Sequence, residues 1–277
     1  MKDRVRISLT LRPEIVALLD SKVDGTKIRN RSHAVETYLR QALAAKAGQA
    51  VILIGDENKV LTDICGETVI EKTLNMLKKA GIKRIILCCK KSANQLREFL
   101  SKKIFADFDF IYTENEGNGT AAALYKCKSK LNPENFLLLY GDILAELDIY
   151  DFLDFHESSH GVGTIVITSV ADPKPWGVVK VKRNSVIEFH EKPKDNVEDR
   201  NRLTNLIHAG IYAFKPEIFG YIDSKTKSLE TDVMPKLIED RQLYSYLLDG
   251  VWFNISREDL LHHALKYCTP KYRSKKV

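Results

Sequence analysis

An α/β protein with a mostly parallel sheet flanked by helices, preceded by a small α+β module, is the fold class this sequence predicts. Three observations predict it. From residue 50 onward, short apolar runs alternate with amphipathic stretches, the order that builds right-handed βαβ units. Before residue 49 the pattern differs: one strictly alternating segment is followed by two helical ones. The charge divides at the same place, because residues 1–48 hold 10 Lys/Arg against 5 Asp/Glu, a net of +5, while the rest of the chain carries only +1.

Over residues 4–11, Val5, Ile7, Leu9 and Leu11 alternate with Arg4, Arg6, Ser8 and Thr10, the period of a strand with one apolar face. Pro13 and Glu14 suit the first turn of a helix striped by Ile15, Leu18, Leu19 and Val23 and ended by Asp24-Gly25. Ser32 is the expected N-cap of a second helix, whose apolar positions are Ala34, Val35, Tyr38, Leu39, Ala42 and Leu43. So few elements cannot bury a sufficient core alone, and a lone strand has two open edges. Two copies that pair their strands and interlock their helices solve both problems. Residues 2–46, with the second helix RSHAVETYLRQAL, resemble the ribbon-helix-helix family of DNA-binding proteins. The resemblance implies a homodimer joined through the ribbon, with double-stranded operator DNA as partner. Lys2, Arg4, Arg6 and Ser8 would face the major groove, and Arg31 and Ser32 would hold phosphate at the second helix. A dimerisation ribbon with solvated outer charges is the plainer alternative. Pairing of dimers into tetramers stays open.

Ala44 to Gln49 forms a short linker. Beyond it, strands are expected near 50–54, 84–89, 108–113 and 135–140, with helices near 67–80, 92–102 and 119–130. The expected division is 1–46 for the first module, 47–49 for the linker, 50–268 for the large domain and 269–277 for a basic tail. With 44% hydrophobic and 29% charged residues, the composition is that of a globular chain, which excludes a disordered or fibrous one. No apolar run approaches the roughly 20 residues of a membrane helix, and the polar N-terminus does not read as a secretory signal. Cys65, Cys88, Cys89, Cys127 and Cys268 are odd in number and lack metal-type spacing, so reduced thiols in a cytoplasmic protein are expected.

Ligands in such sheets sit beyond the carboxyl ends of the strands, and the notable motifs fall near those ends. They are Leu53-Ile54-Gly55-Asp56, the turn Gly117-Asn118-Gly119-Thr120, and Tyr140-Gly141-Asp142. Further along come Trp176-Gly177, Glu191-Lys192-Pro193, His208-Ala209-Gly210, Ser228-Leu229-Glu230-Thr231-Asp232 and Trp252-Phe253-Asn254. Taken singly, the glycine turn reads as a helix cap and the strand-end aspartate as a turn cap. Together they resemble the sugar-phosphate nucleotidylyltransferases, enzymes of a GT-A/Rossmann-like fold, from about residue 50 to 268. The resemblance implies nucleotide contacts at Leu53, Gly55, Gly119, Thr120, Gly141 and Asp142. It implies sugar and phosphate contacts at Gly177, Glu191, Lys192 and His208. It makes Asp142 a metal ligand, with Mg2+ accompanying bound phosphates.

Three departures stand out. The family's loop after the first strand, GGxGxRLxPLTxxxPKPL, is cut back here and lacks its arginine and its PKP segment. Asn254 replaces the family's second metal carboxylate, and His208 replaces an asparagine. Phosphoryl transfer depends on positioning and charge neutralisation. The expectation is therefore a DNA-binding transcriptional regulator whose degenerate domain senses a nucleotide, sugar phosphate or nucleotide sugar. The alternative is an active sugar-1-phosphate nucleotidylyltransferase with an N-terminal dimerisation or autoregulatory module, Lys59 replacing a lost cation.

Overall fold

The computed structural model describes residues 7–43, 47–115, 117, 119–193 and 204–267. The chain falls into two units, residues 1–45 and 46–277.

In the first unit, Pro13 sits in the first turn of α1 (Pro13–Asp20) and Glu14 lies at its positive end. The helix stops at Asp20, short of the expected Asp24-Gly25. Asp24 instead closes the following turn, its Oδ1 accepting the N–H groups of Thr26 at 2.8 Å and Ile28 at 2.9 Å. Helix α2 (Arg31–Leu43) is capped by Asn30, not by Ser32: Asn30 Oδ1 accepts the N–H of His33 at 2.9 Å. Ser32 is an exposed residue of the first turn. Arg31 is not free for phosphate in this structure, because its guanidinium grips Asp20 through Nε at 2.7 Å and Nη2 at 2.6 Å. Lys2, Arg4 and Arg6 lie outside the described residues. Residues 7–12, the described part of the expected strand, form no ladder. A strand needs a second strand to hydrogen-bond, and the described residues of this unit offer none. Its apolar positions are correspondingly open: Ile7 is 63% exposed and Leu9 53%.

The second unit begins with β1 (Gln49–Leu53), α3 (Glu57–Val60), α4 (Val69–Lys79), β2 (Arg84–Cys89) and α5 (Asn94–Leu100). Next come β3 (Asp109–Glu114), α6 (Thr120–Cys127), β4 (Phe136–Tyr140), β5 (Ile143–Ala145) and α7 (Ile149–Ser159). Strands β6 (Gly163–Ser169), β7 (Gly177–Lys182), β8 (Ser185–Glu191) and β9 (Leu206–Phe214) follow. A π-helical turn, Leu229–Val233, leads into α8 (Met234–Glu239), β10 (Leu243–Leu247), β11 (Trp252–Asn254) and α9 (Glu258–Tyr267). Helix α4 is set by a capping box, Thr68 and Glu71 each satisfying the other's backbone N–H.

The described strands form a nine-stranded sheet in the order β3-β2-β1-β4-β9-β6-β10-β8-β7. Strands β3, β2, β1 and β4 pair in parallel, as do β6 and β10, while β9 is inserted antiparallel between β4 and β6. Strand β8 also runs against its neighbours. The expected helix-flanked sheet is thus the observed architecture, parallel over β3-β2-β1-β4 and mixed beyond it. Both faces of the sheet are apolar because alternate side chains feed two cores. Ala50, Ile52, Ile85, Leu87, Leu137 and Leu139 join one. Val51, Ile86, Phe136 and Leu138 join the other. Truncating one of these fully buried leucines to alanine costs about 2–5 kcal/mol.

Cys88, Cys89 and Cys127 are free and buried. Cys65 is disulfide-bonded, which corrects the expectation of reduced thiols throughout. No helix of the described residues is long and apolar enough to cross a membrane.

Candidate functional site

The parallel half of the sheet opens at the carboxyl ends of β1, β3 and β4 into a cavity of about 380 Å³. Leu53, Gly55, Gly119, Thr120 and Asp142 all line it, so the structure brings together five of the six residues expected to contact a nucleotide. Gly141 supports them from behind: its N–H donates to Leu53 O at 2.8 Å. A side chain there would press Val60 Cγ1 at 2.9 Å and Leu53 O at 3.1 Å, so glycine is required where the end of β4 passes the end of α3.

The shortened loop is a built structure. Asp56 caps α3, its Oδ1 accepting the Asn58 N–H at 2.9 Å, and one helical turn then presents Lys59 to the cavity. Glu57 Oε2 reaches across to the Leu96 N–H at the start of α5, at 3.1 Å. Lys59 is the only Lys or Arg on the described cavity wall, which it shares with Asp56 and Asp142.

Gly119 has φ of 98°, and a Cβ there would lie 2.3 Å from Lys227 O. That carbonyl already accepts the Ala121 and Ala122 N–H groups, at 2.9 and 3.3 Å. The Ala121 and Ala122 amides at the start of α6 are therefore occupied and not open to an anion. The Thr120 hydroxyl is spent too, donating to Glu230 Oε2 at 2.7 Å and accepting the Leu229 N–H at 2.9 Å. What this turn offers a ligand is its backbone surface.

Asp142 Oδ2 accepts the Ser256 hydroxyl at 2.7 Å, and the Asp142 carbonyl accepts the Ile255 N–H at 2.9 Å. Asn254 sits opposite Ile143 on the β5–β11 ribbon. Its Oδ1 is engaged with the Ser256 N–H at 2.9 Å, so Asn254 acts as a turn cap. No group of three or more His, Cys, Asp and Glu side chains placed to hold a metal occurs among the described residues.

A second cluster lies on β7, β8 and β9. Gly177 pairs with Glu191, and a Cβ on it would meet His208 Cδ2 at 2.6 Å, Phe189 Cζ at 2.6 Å and Glu191 Oε2 at 2.8 Å. The missing side chain is what lets Glu191 and His208 converge. Glu191 Oε2 is buried without a partner, and Oε1 lies 3.5 Å from Lys192 Nζ. Burial, helped by the nearby Glu230 charge, pushes the Glu191 carboxyl above its usual range. Lys192 itself is held by its backbone N–H, which donates to Trp176 O at 3.0 Å, while its side chain projects outward, 71% exposed.

The two clusters are joined by a buried polar chain that sequence patterns did not reveal. His208 Nδ1 lies 2.7 Å from the Tyr212 hydroxyl, which donates to the Tyr140 hydroxyl at 3.4 Å. Tyr140 in turn donates to Glu230 Oε1. Glu230 is only 9% exposed and also accepts Ser228 Oγ at 2.7 Å. Burial opposes its charge, yet the donors from Tyr140, Thr120 and Ser228 and the His208 ring hold its carboxyl below the usual range. Burial lowers the His208 ring below its usual range, against the pull of the Glu230 carboxylate. The sequence marked the Ser-x-Glu spacing of residues 228 and 230. It could not show that the carboxylate turns inward.

Comparison with known proteins places this geometry. A family model described as nucleotidyl transferase matches residues 56–269. Mannose-1-phosphate guanyltransferase of Saccharomyces cerevisiae is 31% identical over 217 residues, 76% of this chain and 58% of that protein. The mannose-1-phosphate guanylyltransferase catalytic subunit beta of Drosophila pseudoobscura pseudoobscura is 33% identical over 206 residues, 72% of this chain and 53% of that protein. The chain thus spans little more than half the length of these relatives. Among solved structures, a putative glucose-1-phosphate thymidylyltransferase from Bacillus anthracis superposes with a TM-score of 0.70 at 22% identity, covering 79% of this chain and 94% of that one. A UDP-glucose pyrophosphorylase from Acinetobacter baumannii gives 0.68 at 18% identity, covering 82% and 96%. At such identities these two establish the fold. The relatives overturn the expectation of a DNA-binding regulator with a sensing domain: proteins 31–33% identical over about three quarters of this chain are named for guanylyl transfer.

Proposed function

The chain belongs to the nucleotidyl transferase family, and from that premise we propose that its larger unit joins a nucleoside triphosphate to a sugar 1-phosphate and releases pyrophosphate. GTP and mannose 1-phosphate are the first pair to try, because that is the chemistry for which the similar proteins are named. One observation carries the proposal. Gly119, Thr120 and Asp142 converge on a single cavity at the carboxyl ends of the parallel strands, and a polar chain ties it to the Gly177-Glu191-His208 cluster.

In the proposed reaction an oxygen of the sugar phosphate attacks the α-phosphorus of the triphosphate. The bond from that phosphorus to the oxygen bridging α and β breaks, and the electron pair leaves with pyrophosphate. Leu53, Gly55, Gly119 and Gly141 let the nucleotide approach backbone closely, and Thr120 fixes the turn that borders the base. Glu191 offers its unpartnered oxygen to sugar hydroxyls, His208 shapes the floor beneath them, and Lys192 and Lys59 face phosphate oxygens. The hard oxygen donors Asp142 and Asp56 suit Mg2+, which keeps several waters and needs few protein ligands. When bound, Mg2+ neutralises phosphate charge.

The smaller unit serves, in this proposal, as a ribbon-helix-helix dimerisation module. Ile7, Leu9 and Leu18 are more than half exposed there, and a second copy would cover them. Light scattering of the full chain should give a dimer mass, and Leu9→Asp should give the monomer. A monomeric wild type ends that part of the proposal. The catalytic part is tested by a coupled pyrophosphate-release assay across four nucleoside triphosphates and a set of sugar 1-phosphates with Mg2+. Release that requires both substrates is expected. Release that ignores the sugar phosphate defeats the transfer assignment.

A further inference from the structure

A cation stands where the two clusters meet, and neither the motifs nor the proposed reaction uses it. Ser256, whose hydroxyl holds Asp142 on the nucleotide side, is followed directly by Arg257. The Arg257 guanidinium carbon lies 5.4 Å from the ring centre of Trp176. Trp176 belongs to the other cluster: its carbonyl accepts the Lys192 N–H at 3.0 Å, and the next residue is Gly177, against Glu191 and His208. Trp252 packs edge-on against Trp176 at 5.2 Å and donates its indole N–H to Ala209 O at 2.9 Å, which braces the ring under the guanidinium. The side chain is therefore stacked on a fixed aromatic surface at the seam where the two substrates' phosphates must meet.

Charge supplies the reason for a role. Two phosphate groups must come together beside Asp56 and Asp142, and Lys59 is the only Lys or Arg on the described wall of the nucleotide cavity. Arg257 currently forks onto Asp259, with Nε to Oδ1 at 3.1 Å and Nη2 to Oδ2 at 3.0 Å. That pair is open to water, its side chains 40% and 58% exposed, so it is held weakly and exchanges readily for a stronger anion. Phosphate offers the same planar spacing of acceptor oxygens as the carboxylate, with more charge.

We propose that Arg257 is a phosphate-binding residue that leaves Asp259 to grip the oxyanion at the junction of the two substrates, restoring the guanidinium that the shortened loop lacks. The assignment rests on the transfer reaction proposed above for its purpose, but not for its measurement. Titration calorimetry of the full chain with inorganic pyrophosphate tests it, using wild type, Arg257→Met, Arg257→Lys and Asp259→Asn. Because the ion pair is exposed, all three variants should melt like wild type. Arg257→Met should weaken pyrophosphate binding by about 10- to 100-fold, the worth of a bidentate charged contact, with Arg257→Lys in between. Asp259→Asn should tighten it by about two- to fivefold by releasing the guanidinium. Binding by Arg257→Met within twofold of wild type, or weaker binding by Asp259→Asn, overturns the assignment, as does a wild type that binds no pyrophosphate. If Arg257 governs pyrophosphate affinity yet no nucleotide sugar is ever formed, the phosphate site stands and the transfer reaction falls.

Discussion

Tyr140→Phe removes one oxygen and no packing volume, which makes it a clean probe of the chain that links the two halves of the cleft. The hydroxyl donates to Glu230, a carboxylate only 9% exposed that also holds Thr120. A hydrogen bond to a buried charged group contributes about 1.5–3 kcal/mol, and the isosteric ring leaves no cavity. We therefore expect a loss of about 2 kcal/mol at neutral pH. Trp176 and Trp252 both lie in the larger unit, so tryptophan fluorescence during urea unfolding reports that unit alone. With a denaturant slope of about 2–3 kcal/mol per molar urea for a unit of this size, the midpoint should fall by roughly 0.7–1 M. The pH dependence has a definite sign. Glu230 is held below its unfolded value, so its ionised contacts stabilise the fold above the ordinary glutamate range and fade as pH falls through the folded value. The gap between wild type and Tyr140→Phe should be full at neutral pH and narrow in acid. A midpoint shift under about 0.2 M at neutral pH, or a gap that widens in acid, refutes an ionised, donor-held Glu230.

Three further outcomes are expected. Gly177→Ala puts a methyl within 2.8 Å of three neighbours. It should raise KM for the sugar 1-phosphate by at least about tenfold through displaced Glu191 and His208, with KM for the triphosphate nearly unchanged. Glu191→Gln replaces a carboxylate whose pKa burial has raised, and the ionised form of such a group costs stability once pH exceeds the raised value. Its Tm should therefore exceed wild type above neutral pH and converge with it near the ordinary glutamate range, while sugar-phosphate affinity drops; a Tm gain that grows in acid would show the sign to be wrong. Asp142→Asn should cut kcat by about 100-fold or more and flatten the Mg2+ dependence, whereas equal kcat would remove Asp142 from the machinery.

The fold of the larger unit was legible wherever the pattern was local. Ile85 to Cys89 read as a buried strand because both faces are apolar, and β2 spans Arg84–Cys89. The glycines at 119 and 141 could be placed beside a ligand because strand ends in a parallel sheet face one side. What was not legible depends on long-range contact. Nothing local says that Lys227 O occupies the amides of α6, or that Glu230 turns inward to Thr120 and Tyr140. The antiparallel insertion of β9 between β4 and β6 is likewise a property of the whole sheet. In the small unit, Asn30 and Ser32 are both good caps, and only the His33 amide direction chooses Asn30. The functional expectation of a regulator erred by weighing the missing loop above the rest of the domain. A one-turn helix carrying Lys59 follows β1 there, and the relatives matched over about three quarters of the chain are named for guanylyl transfer.

Phosphorus NMR of the full chain incubated with Mg2+, GTP and mannose 1-phosphate, extended to the other triphosphates and sugar phosphates, addresses the proposed chemistry most directly. The paired resonances of a nucleoside diphosphate sugar should grow together with free pyrophosphate, and both should vanish in Asp142→Asn. Unchanged spectra for every substrate pair, or product at the same rate from Asp142→Asn, would contradict a transferase centred on this cavity.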